Sequence, residues 1–423
     1  MARLTPLKSP LLINTNKHNF LLIRLSMHTA YIPFSKMSLL LIALLSSLFS
    51  VAQANTSSDL LELPAKKSSL AHKSVLMAMA PNNDAILVVG ERGHIINWQN
   101  NNDWQQQQSP VSVAITDVTI LSDGSKIAVG HDGVILKVDR DSTTWRKVFT
   151  GKEITQFKIV QLKKQLESLD RVISKTQDED ELEELTYQRE DLDFAIDYNQ
   201  VEVKSGPNKP LLSVARTSND TLFATGAYGI LLRSTDQGET WQLVSDLLDN
   251  PDNYHLNSVI STSDDQLYIV GENGTGFHST DIGKTWSVMA LPYAGSLFGI
   301  IANTTIVHTL STDDTYSTKN KTQLVAFGLQ GNIIISLDDG GHWQHQKLPS
   351  STSLLGGNFS EQGKAYLVGH GGFIVSFNPD NLATLKIEKH PSGAALSSVL
   401  VKENILILAG QFGISQWPIK EEG

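Results

Sequence analysis

Seven copies of one short pattern run through this chain: a pair of small or apolar residues, then Gly-x-x-Gly, then a second apolar run. The copies begin at Gly90, Gly130, Gly226, Gly271, Gly328, Gly369 and Gly410 and end at Gly93, Gly133, Gly229, Gly274, Gly331, Gly372 and Gly413. Successive first glycines are 40, 96, 45, 57, 41 and 41 residues apart, so four intervals match a four-stranded propeller blade and two are stretched by insertions. Two glycines flanking a short turn between apolar runs predict a hairpin in which at least one position takes positive φ, a region other residues reach at a cost. The expected fold is therefore all-β: a seven-bladed β-propeller with strands A to D running from the axis outward in each blade.

Blade three shows the whole unit, with strand A near Leu212–Thr217, B at Leu222–Thr225, C at Ile230–Ser234 and D at Thr240–Ser245. Its C–D turn reads Ser234-Thr-Asp236-Gln-Gly238-Glu-Thr240-Trp241. The pattern returns as Ser279-Thr-Asp281-Ile-Gly283-Lys-Thr285-Trp286 and, degraded, as Ser336-Leu-Asp338-Asp-Gly340-Gly-His342-Trp343. Asp141–Trp145 and Asn97–Trp104 look like eroded copies. Ser and Asp can take backbone N–H groups inside such a turn, Gly supplies a left-handed position, and Trp buries a large ring between blades. The aspartates are accordingly expected to be structural. The motif resembles the Asp box of BNR-repeat propellers.

The 96-residue interval holds the one break from β patterning. Ile159, Leu162, Leu166, Leu169 and Ile173 recur at helical spacing, as do Leu182, Leu185, Leu192 and Ile196. Polar residues 174–180 separate them, with Asp178-x-x-Glu181 as a start signal. A helical hairpin inserted between blades two and three is expected, its acidic outer face either solvated or docking a partner. Blade seven is expected to lack an outer strand, which the segment Leu60–Lys66 would supply to close the ring.

Lys36, the apolar run 38–49 and Ala52-Gln53-Ala54 have the order of a secretory signal peptide cleaved after Ala54, with an uncleaved signal anchor as the alternative and the true start at Met27 or Met37. The expected organisation is a signal over 1–54, blades one and two with the closing strand over 55–152, the hairpin over 153–203, and blades three to seven over 204–423. The first 54 residues carry five basic and no acidic side chains, so the −10 of the whole chain becomes −15 beyond Ala54. That charge opposes binding to nucleic acid or anionic membrane surfaces. The chain has no cysteine, so it holds together by burial alone, which is compatible with export.

Catalytic and metal motifs are lacking: there is no H-E-x-x-H, G-x-S-x-G or Cys/His metal spacing, and neither cofactor nor metal is expected. Ile282-Gly283-Lys284-Thr285 only mimics the end of a phosphate loop, because His278 stands where that loop needs Gly. The enzyme alternative is a sialidase-like or carbohydrate-binding propeller. A sialidase needs three convergent arginines and a Tyr/Glu pair. Outside the hairpin only Arg92, Arg140, Arg146, Arg216 and Arg233 follow Ala54, and the nearest Tyr/Glu pair is Tyr228 and Glu272 in adjacent turns.

Over residues 55–423 the Gly-x-x-Gly rhythm, together with the Asp-box turns, resembles the photosystem II stability and assembly factor family. The resemblance implies an exported, non-enzymatic propeller that holds a protein partner during assembly of a membrane or envelope complex; a monomer is expected. Two departures exclude a direct transfer of client. Photosynthetic members present an arginine-rich patch that this acidic chain lacks, and they have no long helical insertion. A non-photosynthetic relative in the periplasm, or otherwise exported, is expected.

Strand direction also predicts a working face. The B–C turns and the hairpin, which sits in a D-to-A linker, should leave one side of the disc, and the Asp-box turns the other. The turn residues Arg92, His131, Asp132, Tyr228, Glu272, Asn273, Gln330, His370 and Phe412 are expected to ring the central opening as the partner-binding face.

Overall fold

The computed structural model describes residues 59–100, 103–206, 209–310 and 316–420, and the expected signal peptide lies outside them. Among the described residues six sheets have four strands and a seventh has three, each antiparallel and in simple sequence order. The first strands are Leu76–Asn82, Ile115–Ile120, Leu211–Arg216, Leu256–Ser261, Leu297–Leu310, Leu354–Phe359 and Leu396–Lys402. They pack side by side around the ring, and apolar side chains fill the space between neighbouring sheets. The chain is a seven-bladed β-propeller with a helical hairpin between blades two and three.

Each Gly-x-x-Gly joins strands B and C, and its two glycines do different jobs. The second takes positive φ in every copy, from 68–73° for six of them to 84° at Gly413. The first is extended and is needed for close approach. A Cβ there would lie 2.1–2.4 Å from the carbonyl oxygen of the residue entering strand A of the same blade. That carbonyl instead accepts the N–H of the residue after the glycine, at 2.9–3.1 Å in all seven blades. The approach forces a bulge one residue into strand A, at Met77, Thr116, Leu212, Asn257, Phe298, Leu355 and Ser397.

The Ser-x-Asp-x-Gly turns join C to D. Ser234 Oγ accepts the Gly238 N–H at 2.9 Å and donates to Asp236, whose carboxylate takes the Thr240 N–H and hydroxyl at 2.9 and 2.6 Å. Ser279 and Asp281 repeat this around Gly283, as do Ser336 and Asp338 around Gly340. Trp241 packs against blade two, Trp286 lies edge-on to Phe223 of blade three, and Trp343 packs with blade-four residues. Each ring therefore joins two blades.

Ring closure departs from expectation. Residues 59–66 join no sheet. Leu61 is buried among Val111, Ile115 and Val138 at the junction of blades one and two, and Ser109 and Ser112 hold the segment through bonds with Ala65 and Leu60. The physical reason is that Leu61 finds an apolar slot between two complete blades. The ring shuts by face packing instead: Leu76, Val88 and Ile96 of blade one lie against Ile407 and Ala409 of blade seven, and Ser397 Oγ donates to Leu76 O at 2.6 Å.

Helix α1 (Gly151–Ile173) starts at a Thr150/Glu153 capping box, and α2 (Glu179–Ser205) starts at Asp178, whose carboxylate accepts the Glu181 N–H. Both helices run longer than the apolar pattern alone indicated. Blade five's extended strands Leu297–Leu310 and Tyr316–Gly328 account for the 57-residue interval.

Gly271→Ala should test the close approach, since its Cβ would fall 2.1 Å from His255 O. Overpacking of this kind costs about 1–3 kcal/mol, so the urea midpoint should drop while the denaturant slope stays constant.

Candidate functional site

The hairpin leaves the same side of the disc as the Gly-x-x-Gly turns because it fills a D-to-A linker, and strand A begins where strand B ends. Its root is built into the propeller. Gly133, the second glycine of the blade-two turn, faces Gly151 so closely that a Cβ would lie 2.5 Å from the Gly151 Cα. Ile154 is buried with Ile135, Phe149 and Ile230, and Phe157 stacks on Phe149 at 6.1 Å.

Beside this root lies a cleft of 440 Å³ floored by Ile154, Ile230 and Leu248 and edged by Lys158, Tyr228 and Asn250. A second recess of 290 Å³ shares Lys158, Lys209 and Tyr228 and adds Tyr198, Asn199 and Glu202. Lys209 forms a largely buried ion pair with Glu202. Lys158 is exposed, yet desolvation by the cleft walls, with the Lys209 charge adding to it, lowers its pKa. Asn199 is buried, donates to Ala195 O at 2.7 Å and leaves its Oδ1 without a partner.

Of the nine turn residues expected to work together, Tyr228 alone enters these clefts. Its backbone is left-handed at φ 60°, and half its surface is exposed. His255 lies edge-on to its ring at 5.2 Å and 3.9 Å from Glu272, so Tyr228 and Glu272 belong to one patch across blades three and four. Arg92, His131, Asn273, Gln330, His370 and Phe412 are exposed, each on the turn of its own blade, and Asp132 is half-buried. None of the nine is among the residues that line the central channel. Apart from Phe327 of strand B in blade five, the channel wall is strand A, and the B–C turns stand one strand farther out.

That channel, 430 Å³, is where sequence reasoning missed most. The bulge residues line it. Thr116, Asn257 and Ser397 reach the carbonyl that opens strand A of the next blade, on Leu211, Leu297 and Leu76, at 2.8, 2.8 and 2.6 Å. Met77, Leu212, Phe298 and Leu355 take the other four places and make them apolar. Below them Asp117 accepts N–H bonds from Val118 and Val214 and the Ser213 hydroxyl, tying blade two to blade three. Desolvation nonetheless outweighs these bonds and pushes its pKa up to about 6. Position alone would not have singled it out, because the same place in other blades holds Ala78, Ser213 or Gly299.

Arg146 pairs with Glu239 and Arg216 with Asp220. Among the described residues no group of three or more His, Asp or Glu side chains could hold a metal ion, and no helix is long and apolar enough to cross a membrane.

This architecture defines a seven-bladed propeller that offers one face of glycine turns beside a rooted helical hairpin. The family model described as photosynthesis system II assembly factor YCF48 matches residues 193–313, from the end of α2 into blade five, and the chain resembles that family. A solved structure of YCF48 bound to D1 peptide is 12% identical and aligns over 85% of this chain and 100% of its own with TM-score 0.52. YCF48 from Cyanidioschyzon merolae is 10% identical, covering 83% and 97% with TM-score 0.50. The WD40 β-propeller domain of Doa1 is 9% identical, covering 84% and 94% with TM-score 0.51. No curated protein matches the chain. At such identities the solved structures share the fold.

The carboxylates make opposing contributions to stability with pH. Asp117 is raised from 3.8 to about 6, so its contribution is fully present below 3.8 and is lost as pH rises through about 6. Asp281, bonded chiefly by the Thr285 N–H, and Asp338, bonded chiefly by His342, are held at about 2, so theirs is lost as pH falls from 3.8 toward 2. Urea midpoints measured from pH 4 to 7 should decline less in Asp117→Asn than in the parent chain; equal slopes would remove Asp117 as the cause.

Proposed function

We propose that this chain is an exported, non-catalytic propeller that holds a protein partner while a membrane complex of the cell envelope is assembled. The observation that carries this reading is the union, on one face, of a rigid hairpin root with a cleft of mixed chemistry: Tyr228 and Tyr198 exposed beside Lys158, with Asn250 and the Lys209–Glu202 pair around them. A surface mixing aromatic, cationic and amide groups in a concavity suits a folded or extended polypeptide.

Three further facts support it. The family model that matches residues 193–313 describes an assembly factor. A propeller of the same fold is known with a peptide bound. Residues 36–54 have the order of an export signal, which agrees with a periplasmic or otherwise extracytoplasmic site of action. The charge of −15 beyond Ala54 points away from a photosystem client and toward a partner with a basic surface. A monomer serving as a holdase needs no cofactor.

The test is capture of a partner by the full chain in crosslinked cells, followed by purification from the envelope fraction. Tyr228→Ala and deletion of residues 156–200 should each reduce the captured protein by about tenfold or more, the effect of losing a central contact. Phe412→Ala, on the blade-seven turn of the same face, should also reduce it. Asp281→Ala on the opposite face should lower the melting temperature and leave capture unchanged. Capture that survives Tyr228→Ala but fails in Asp281→Ala would move the working surface to the other side of the disc.

A further inference from the structure

Helix α2 carries two apolar stripes, and α1 covers only one of them. Leu182, Leu185, Arg189, Leu192, Ile196, Asn199 and Val203 alternate at three- and four-residue spacing and form the half-buried to buried face that meets α1. Two residues beyond Leu185, Leu192, Ile196 and Asn199 stand Tyr187, Phe194, Tyr198 and Val201. At 100° per residue they lie across the helix from that seam. They are 58%, 74%, 58% and 61% exposed. In a two-helix pair these outward positions face water and ordinarily carry charge, so four large apolar side chains there form an uncovered strip. Toward the root of the hairpin, Tyr198 of the strip shares a recess with Tyr228.

The borders of the strip name its partner. Along one edge run Glu183, Glu190 and Asp197, all exposed, with Thr186, Asp193 and Gln200 behind them, where Asp193 is held by Arg189 at 2.6 Å. Along the other stand Glu184 and Asp191, also exposed. A second copy of α2 would bring carboxylates against carboxylates, and an anionic lipid surface would be repelled likewise. A helix with an apolar stripe bordered by Lys or Arg matches both the strip and its edges.

We propose that the outer face of α2 docks a basic amphipathic helix of the partner through Tyr187, Phe194, Tyr198 and Val201. The inference rests on the partner-holding reading above and assigns the hairpin its share of that surface.

The probe is a pair of labelled 21-residue amphipathic peptides with one leucine stripe, bordered by Lys in one and by Glu in the other, titrated with the full chain by fluorescence anisotropy. The Lys peptide should bind and the Glu peptide should not. Phe194→Ala with Val201→Ala removes apolar area without changing charge, and should weaken binding by about tenfold or more. Val288→Ala, an equally exposed residue on blade four, should leave binding unchanged. Unchanged melting temperatures check that each variant is folded. The proposal is overturned if the Lys peptide fails to bind, if both peptides bind alike, or if the double variant binds like the parent chain, which would leave charge alone as the cause. It is also overturned by a concentration-dependent dimer, or flotation with phosphatidylglycerol vesicles, that disappears in the double variant. Capture that depends on Tyr228 in the cell assay is independent of these readings, so the wider proposal stands or falls separately.

Discussion

A single close approach organises the disc. In every blade the carbonyl entering strand A sits where a Cβ on the first turn glycine would be, 2.1–2.4 Å away, and accepts the next N–H of the turn. Any side chain there would part strand A from the B–C turn. With glycine, one contact pins the innermost strand to the turn, creates the bulge and directs the bulge residue to the channel. The channel wall is consequently built from seven equivalent positions that vary freely: three polar ones bind the next blade's carbonyl and four are apolar. The repeated backbone bond carries the architecture, leaving those side chains free to differ in chemistry.

The hairpin exploits the same device. Gly133 is the second glycine of the blade-two turn, and its missing Cβ lets Gly151 start α1 directly against it. Capping by Thr150 and Glu153 fixes the first turn, and Ile154 and Phe157 bury it against Phe149. A two-helix pair with a few apolar layers is marginal in isolation. Rooted this way, it holds its outer face in a fixed relation to the glycine turns beneath it. Tyr228 is the link, being a turn residue that also edges the cleft against α1 and α2.

Local patterns were legible where a backbone conformation demanded a residue type. The glycine spacing counted the blades, the Ser-x-Asp-x-Gly runs located the C–D turns, and Asp178-x-x-Glu181 marked the start of α2. Features that depend on which surfaces meet were not legible. Leu60–Lys66 has the composition of an outer strand, yet Leu61 is captured by the groove between blades one and two before any strand edge is reached. The nine turn residues share a face but not a pocket, because strand A intervenes between them and the axis. Asp117 owes its raised pKa to burial between packed blades, and the outer stripe of α2 is invisible to a search for the one periodicity that pairs helices.

By itself the sequence determined what depends on the chain's own backbone: seven hairpin units, their strand order, the tight C–D turns and the two helices of the insertion. Glycine placement, side-chain capping and apolar periodicity act over a few residues, so they can be read in one dimension. Tertiary structure decided how the ring closes, which side chains share a cavity, and which apolar stripe on α2 stays uncovered. Those outcomes come from competition among surfaces that lie far apart in the chain, where burial favours whichever faces fit.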